Sequence, residues 1–206
     1  MTSKEQFNKW ANEYEKSVYS SDQNNTYPFA GYKKIIDNIY KEIILQDKAN
    51  IFDIGFGTGI LLSKLYDKGY NILGMDFFEK MIKVAKEKMP KANLFKGDFS
   101  KELNDEIKKV KFDFIIATYS LHHLRDEEKI KLIIKLYQLL NENGSIIIGD
   151  IAFETRNELN KCKIKYEDEW DDEEYYFIYD DIKKMIPYEN TFEKISFCSG
   201  VIRIKK

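Results

Sequence analysis

Between residues 49 and 150, short apolar runs alternate with segments whose apolar residues recur every three or four positions. Ala49 to Ile54 reads as a first strand and Gly59 to Asp67 as the helix after it. Tyr70 to Met75 with Glu79 to Lys88 repeats the unit, as does Ala92 to Lys96 with a shorter, charged helix around Leu103 to Lys108. Phe112 to Thr118 precedes a helix over Asp126 to Leu140, which is expected to bury Ile130, Ile133, Ile134, Tyr137 and Leu140 on one face; Ser145 to Asp150 is the fifth strand. Runs such as FIIAT and SIIIG are apolar on both faces at once, as in strands covered from two sides. This alternation predicts a doubly wound, mostly parallel α/β sheet.

The two ends break the pattern. Residues 5 to 44 read as helices carrying Phe7, Trp10, Tyr14, Tyr19, Tyr27, Phe29 and Tyr32, and are expected to form a helical lid. After Asp150 comes a helical, acid-rich stretch, and CSG at 198 to 200 offers a turn between two last strands, which would give the sheet an antiparallel edge. With three prolines and no Gly/Ser-rich stretch there is no linker, so 1–206 is expected to be a single domain, with 1–44 as the cap and 45–206 as the core.

Composition narrows the function. A formal net charge of -2 gives no electrostatic footprint for nucleic acid. No apolar run approaches the ~18 residues of a membrane helix, and the polar start MTSKEQFNKW lacks the core of a signal peptide. Cys162 and Cys198 stand far apart with no C-x-x-C, so neither a disulfide framework nor a zinc site is expected, and a cytoplasmic location fits. A monomer or homodimer is expected.

The chemistry concentrates in IFDIGFGTGILLSKL, residues 51 to 65, where Gly55, Gly57 and Gly59 alternate just past the first strand. In an open parallel sheet, ligands sit beyond the carboxyl ends of the strands, and backbone N–H groups at a helix mouth can meet a polar ligand. A dinucleotide fingerprint would need glycine where Ile60 stands. Instead the pattern is D-x-G-x-G-x-G, headed by Asp53, an acid that would repel a pyrophosphate and welcome an ammonium or sulfonium. Asp76 ends the second strand, where an acid can accept hydrogen bonds from two ribose hydroxyls.

Together these motifs resemble those of class I S-adenosylmethionine-dependent methyltransferases. DIGFGTG is similar to the first motif, GMDFFEKMIKVAKEK to the second, FKGDF to the third, FDFIIATYSLHHL to the fourth, and LLNENGSIIIGD to the run into strand five. WANEYEKSV and TYSLHHL are similar to a group of small bacterial methyltransferases. The resemblance implies a Rossmann-like, seven-stranded sheet with an antiparallel C-terminal strand. It also implies S-adenosylmethionine as cofactor, S-adenosylhomocysteine as product, no metal, and a small-molecule methyl acceptor.

The same resemblance implies cofactor contacts from Asp53, Gly55, Gly57, Gly59 and Thr118, with Asp76 on the ribose. Asp98 would meet the adenine amine, Phe77 and Phe99 would flank the ring, and Tyr14 would close over the methionine end. Tyr119, Asp150 and Tyr32 are expected on the acceptor side. His123 is the expected general base, and His122 is expected to bond backbone at a helix entry. The acidic run YEDEWDDEEYY, residues 166 to 176, is expected to be a solvated face. One departure stands out: Phe78 occupies a position where relatives place a small hydroxyl residue as helix cap, a loss of ~1 kcal/mol in typical cases.

Three other readings compete. A nucleic-acid methyltransferase would show N-P-P-Y or D-P-P-Y after strand four, where this chain has ATYSLH. A non-catalytic S-adenosylmethionine-binding module or partner subunit would carry the same binding motifs. A nicotinamide-dependent oxidoreductase is disfavoured by the glycine spacing.

Overall fold

The computed structural model describes residues 15–206, so Tyr14 and the earlier part of the expected lid lie outside the described residues. Strand β1 (Asn50–Ile54) illustrates how the sheet is built. Ile51 joins one apolar layer, while Phe52 and Ile54 join the other, because successive side chains leave a strand on opposite faces. β2 (Asn71–Asp76), β3 (Asn93–Lys96) and β4 (Phe112–Thr118) run parallel to it, as does β5 (Leu140–Phe153). β8 (Ser199–Lys205) pairs antiparallel with both β5 and β7 (Asn190–Lys194). The order is β3-β2-β1-β4-β5-β8-β7, with the two-residue β6 (Phe177–Ile178) beside β5, which makes eight strands. Seven of them form the expected sheet with its antiparallel edge, but the turn between β7 and β8 is residues 195–198, so of CSG only Cys198 lies in it while Ser199 and Gly200 begin β8.

Helices cover both faces. α1 (Tyr32–Ile43), α2 (Ile60–Asp67) and α3 (Glu79–Lys88) share one apolar layer with the sheet. α4 (Asp105–Lys108) and α5 (Asp126–Tyr137) share the other, and α6 (Arg156–Lys165) and α7 (Tyr179–Ile182) follow β5 and β6. α1 buries Ile35, Ile36, Ile39 and Ile43, a helical spacing on one face. Burying each such side chain is worth roughly 1.5–3 kcal/mol. Residues 32–43 are therefore a wall of the core rather than a detachable cap. α5 stops at Tyr137, three residues short of expectation, because Leu140 already pairs with Phe112 as the start of β5. Its buried face is Ile130, Leu132, Ile133 and Leu136; Ile134, expected inside, is 38% exposed.

Strand order reverses between β1 and β4, which part to opposite neighbours, β2 and β5. A crevice at the carboxyl ends of these strands follows from that topology.

Candidate active site

A cavity of about 430 Å³ opens at this reversal point, lined by the turns that follow β1, β2, β3 and β4. The turn from β1 into α2 holds Gly55, Gly57 and Gly59, all at positive φ. Their tasks differ. A Cβ on Gly55 would overlap Ser120, and one on Gly59 would come within 2.8 Å of Met89 Cε and 3.3 Å of Ala85 Cβ on the α3 side. These two glycines let the turn press against its neighbours, and Gly59 is absent from the cavity wall. A Cβ on Gly57 would meet nothing within 4 Å, and Gly57 lines the cavity. The space above Gly57 is thus the one a ligand can use.

Two acids face each other across this turn. Gly57 N–H donates to Asp76 Oδ2 at 2.8 Å, and Phe78 N–H donates to Asp76 Oδ1 at 2.8 Å. Asp76 thereby fixes the glycine turn and holds the N–H of Phe78, the residue before α3, whose own side chain makes no cap bond. Burial raises the Asp76 pKa, against the pull of the N–H groups of Phe78, Gly57 and Phe77. Asp53 is 1% exposed, and its Oδ1 has no hydrogen-bond partner. Burial first, and then the charge of Asp76, hold its pKa well above the usual carboxylate range. An unpartnered buried carboxylate oxygen on a cavity wall suits a cationic ligand group.

Phe77, Phe78 and Phe99 also line the cavity, and the first two are exposed with perpendicular rings 5.2 Å apart. Asp98, expected beside them, is turned away. Its carboxylate accepts from Ser100 N–H at 3.0 Å and pairs with Lys101 at 3.2 Å, and it is not part of the cavity wall. A nearby hydroxyl and a lysine compete for that carboxylate, and the motif alone did not reveal them.

The far end of the cavity is built after β4. Thr118 and Tyr119 line it, and Tyr119 takes φ 49, an unusual backbone for a bulky residue. Its ring lies 5.4 Å from Phe29 and 5.2 Å from Tyr32, which share the same wall. Next come the two histidines, and here the structure departs from expectation. His122 is the buried one. Its Nδ1 lies 2.6 Å from Asp150 Oδ1, and Nδ1 carries the proton because an ionised carboxylate only accepts. Burial alone would lower the His122 pKa; the charges of Asp150 and Glu174 outweigh it and raise it. His123 is 60% exposed, and burial together with the neighbouring His122 lowers its pKa.

Asp150 does not reach the cavity wall. β5 runs on to Phe153 instead of ending at residue 150, so Asp150 sits inside the strand, fully buried, paired with Gly200. It accepts from Leu121 N–H at 3.0 Å and Ile151 N–H at 2.8 Å as well as from His122. It acts on the cavity through the imidazole, not by touching an acceptor.

The acidic run is not simply a solvated face. Glu167, Asp168, Glu169, Asp171, Asp172 and Glu173 are exposed, yet Glu174 lines the cavity and Tyr176 is buried. Tyr175 N–H donates to His122 O at 2.7 Å, and the fully buried Lys129 donates its Nζ to Tyr175 O. Tyr27 stacks on Trp170 at 5.3 Å, and its hydroxyl bonds that of Tyr176. The strap is therefore held from both sides. His122 and Glu174 are the site residues that sequence reasoning missed. The alternation of acids with buried aromatics in DEEYYF was the available signal.

Comparisons in sequence point one way. A family profile described as a methyltransferase domain matches residues 51–144. An uncharacterized methyltransferase of Alkaliphilus oremlandii is 34% identical over 161 residues, covering 76% of this chain and 73% of that one. Another, from Oceanobacillus iheyensis, is 30% identical over 201 residues, covering 93% and 87%. The chain belongs to the class I S-adenosylmethionine-dependent methyltransferases.

Solved methyltransferases share the fold. Magnesium protoporphyrin IX methyltransferase from Synechocystis PCC 6803 with bound S-adenosylhomocysteine superposes with a TM-score of 0.67 at 19% identity, covering 86% of this chain and 84% of that one. A TehB-like methyltransferase from Corynebacterium glutamicum gives 0.63 at 20% identity, covering 95% and 98%. This methyltransferase accordingly uses S-adenosylmethionine and releases S-adenosylhomocysteine. The unpartnered, buried Asp53 oxygen and the open space over Gly57 fit a cofactor that carries a cationic group. Among the described residues, no helix is long and apolar enough to cross a membrane.

Proposed function

We propose that this methyltransferase acts on a small-molecule acceptor, bound at the end of the cavity walled by Phe29, Tyr32, Tyr119, His122, His123 and Glu174. The observation that carries the reading is the shape of that end. Among the described residues, aromatic rings in mutual contact wall it on one side and Glu174 of the strap on the other, which supports a small ligand beside the cofactor.

In this reading Asp53 holds the cofactor's ammonium end, Asp76 its ribose, and Phe77, Phe78 and Phe99 its base, with Thr118 near its centre. Gly55 and Gly59 shape the turn that lets Gly57 approach it. When bound, S-adenosylmethionine supplies a methyl group already activated by a sulfonium. The chain's own task is to hold the acceptor in line with that methyl and to keep water out, which the aromatic wall performs. An acceptor that arrives protonated must lose its proton. His122 is the group placed to take it, with Nδ1–H fixed by Asp150 and Nε2 turned toward the cavity side where Glu174 stands. The exposed His123 supports the same end rather than acting alone. A cytoplasmic location and a monomer or homodimer complete the reading.

The test is product formation. Purified protein with S-adenosylmethionine is offered phenols, thiols, amines and soft anions, and S-adenosylhomocysteine is quantified. Turnover with one small-molecule class is the expected result; turnover only with nucleic acid or protein would overturn it.

A further inference from the structure

Three ligand-type atoms converge where the acceptor end of the cavity meets the strap. His122 Nε2 lies 3.5 Å from Glu174 Oε1, and His123 Nδ1 lies 3.9 Å from the same oxygen. All three atoms fall within 4.8 Å of one another, and all three residues line the cavity. The two imidazole rings meet at 62° with centroids 4.2 Å apart, so they approach this point from different directions. The tautomer matters most. Because Nδ1–H of His122 is committed to Asp150, a neutral ring presents a lone pair at Nε2, facing a carboxylate oxygen that also only accepts. Two acceptors face to face call for a cation between them.

We propose that His122, His123 and Glu174 form a binding site for a first-row divalent metal ion of the Zn²⁺ or Co²⁺ type, at the acceptor end of the cavity. This rests on reading the cavity as the methyl-transfer site. Two imidazole nitrogens and one carboxylate oxygen make a donor set such ions favour and Mg²⁺ does not. Metal–ligand bonds of about 2.0–2.2 Å place neighbouring ligand atoms roughly 3–3.5 Å apart. The closest pair here already stands near that spacing. The exposed His123 side chain has the freedom to close the remainder by a rotamer adjustment.

The surroundings are those of a supported ligand. Asp150 behind His122 makes a carboxylate–histidine–metal line, the arrangement that fixes ring orientation at metal centres, and it is itself anchored by the N–H groups of Leu121 and Ile151. Glu174 is held next to the Tyr176 hydroxyl and follows a strap pinned through Trp170 and Lys129. Three protein ligands leave coordination positions open toward the cavity. The acceptor class that uses such positions is a hydroxyl or thiol. With the ion bound, His122 Nε2 is a ligand and no longer the base; the acceptor's proton passes to water, and its electron pair stays on the oxygen or sulfur, which is more nucleophilic than its protonated form. The family resemblance implied no metal, and no motif spacing announces this cluster, whose third ligand is remote in sequence from the two histidines.

The experiment uses the full chain, stripped with a chelator, and titrates ZnCl₂ against a chromophoric competitor and CoCl₂ by visible absorption. One equivalent should bind, with a cobalt spectrum of low-symmetry coordination. Asp150→Asn should weaken Zn²⁺ by about 10–100-fold, and His123→Ala and Glu174→Gln by more. S-adenosylhomocysteine affinity, measured by calorimetry without metal, should stay within a few fold in His123→Ala. That substitution is at an exposed residue, so it keeps the test open even if a buried variant fails to fold. Absence of stoichiometric Zn²⁺ and Co²⁺ binding by the folded wild type would overturn the site, leaving a protonated His122 held between Asp150 and Glu174. Binding that survives both ligand substitutions would overturn it too. Wild type that binds S-adenosylhomocysteine but neither ion refutes only the metal site; wild type that binds metal but no S-adenosylhomocysteine refutes the cavity reading instead.

Discussion

His122 Nδ1 lies 2.6 Å from Asp150 Oδ1, inside the molecule, where β4 and β5 run side by side. The bond joins the loop after β4 to the interior of β5 and aims one imidazole nitrogen at the cavity. Asp150→Asn would keep the shape but offer an amide in place of a carboxylate, so the ring would lose its fixed tautomer. Turnover is expected to fall by about 10²-fold or more, with S-adenosylhomocysteine affinity nearly unchanged. The paired measurement is calorimetry and methyl transfer on the same folded variant. Equal loss in both would mean that the pair supports the whole site and not the acceptor alone.

Asp53 is a residue kept at a cost to the free protein. Its folded pKa is raised, so between the ordinary value of 3.8 and the folded value the native state binds more protons than the unfolded chain. Stability should therefore fall as pH rises through that window. Asp53→Asn removes the buried charge. It is expected to raise the melting temperature of the ligand-free protein at neutral pH, flatten the pH dependence, and weaken S-adenosylmethionine. Melting curves from pH 4 to 8 with and without cofactor decide it; a variant that binds cofactor as well as wild type would show that the Asp53 oxygen has no ligand partner.

Asp76 holds the turn and, in the proposed reading, the cofactor's ribose as well. Removing it in Asp76→Ala orphans the N–H groups of Gly57 and Phe78, each now 2.8 Å from a carboxylate oxygen. Charge-assisted hydrogen bonds contribute roughly 1.5–3 kcal/mol each, so two lost to ribose correspond to a drop in S-adenosylhomocysteine affinity of about 10²-fold or greater. The ligand-free melting temperature should fall as well. Unchanged affinity in a folded variant would remove Asp76 from the cofactor site.

Gly57 and Gly55 should separate cleanly. Gly57→Val fills open space at φ 57; the left-handed backbone costs about 1–2 kcal/mol, so the fold should survive while cofactor binding is abolished. Gly55→Ala drives a methyl into Ser120, whose hydroxyl donates to Ile54 O at 2.8 Å, so it should damage stability first. Thermal melts and cofactor titration of the two variants, side by side, report the contrast. A Gly57→Val protein with wild-type affinity would place the ligand elsewhere.

How far the chain could be read before folding depended on the range of the interaction. β4 and α3 have the boundaries expected from apolar period and local composition, because a strand buried on both faces and an amphipathic helix are each written in consecutive residues. β5 outran its prediction at both ends, since its outer residues are strand only through pairing with β4, β6 and β8. Ile134 looked buried by spacing and is exposed, because the helix buries the face of Ile130, Leu132, Ile133 and Leu136 instead.

At the site the same division holds. The glycine turn, Asp53 and Asp76 sit within a few residues of strand ends, and the strand ends fix where they go; the sequence by itself determined the place of this turn and its two acids, and the family. The acceptor end was decided by tertiary structure. Which histidine is buried depends on Asp150 reaching it across two strands, and Glu174 enters only because Lys129 and Tyr27 hold a distant acidic strap against the cavity. Neither contact leaves a periodic trace in the chain, because hydrogen bonds between remote side chains depend on where the folded backbone brings them and not on how they are spaced along it.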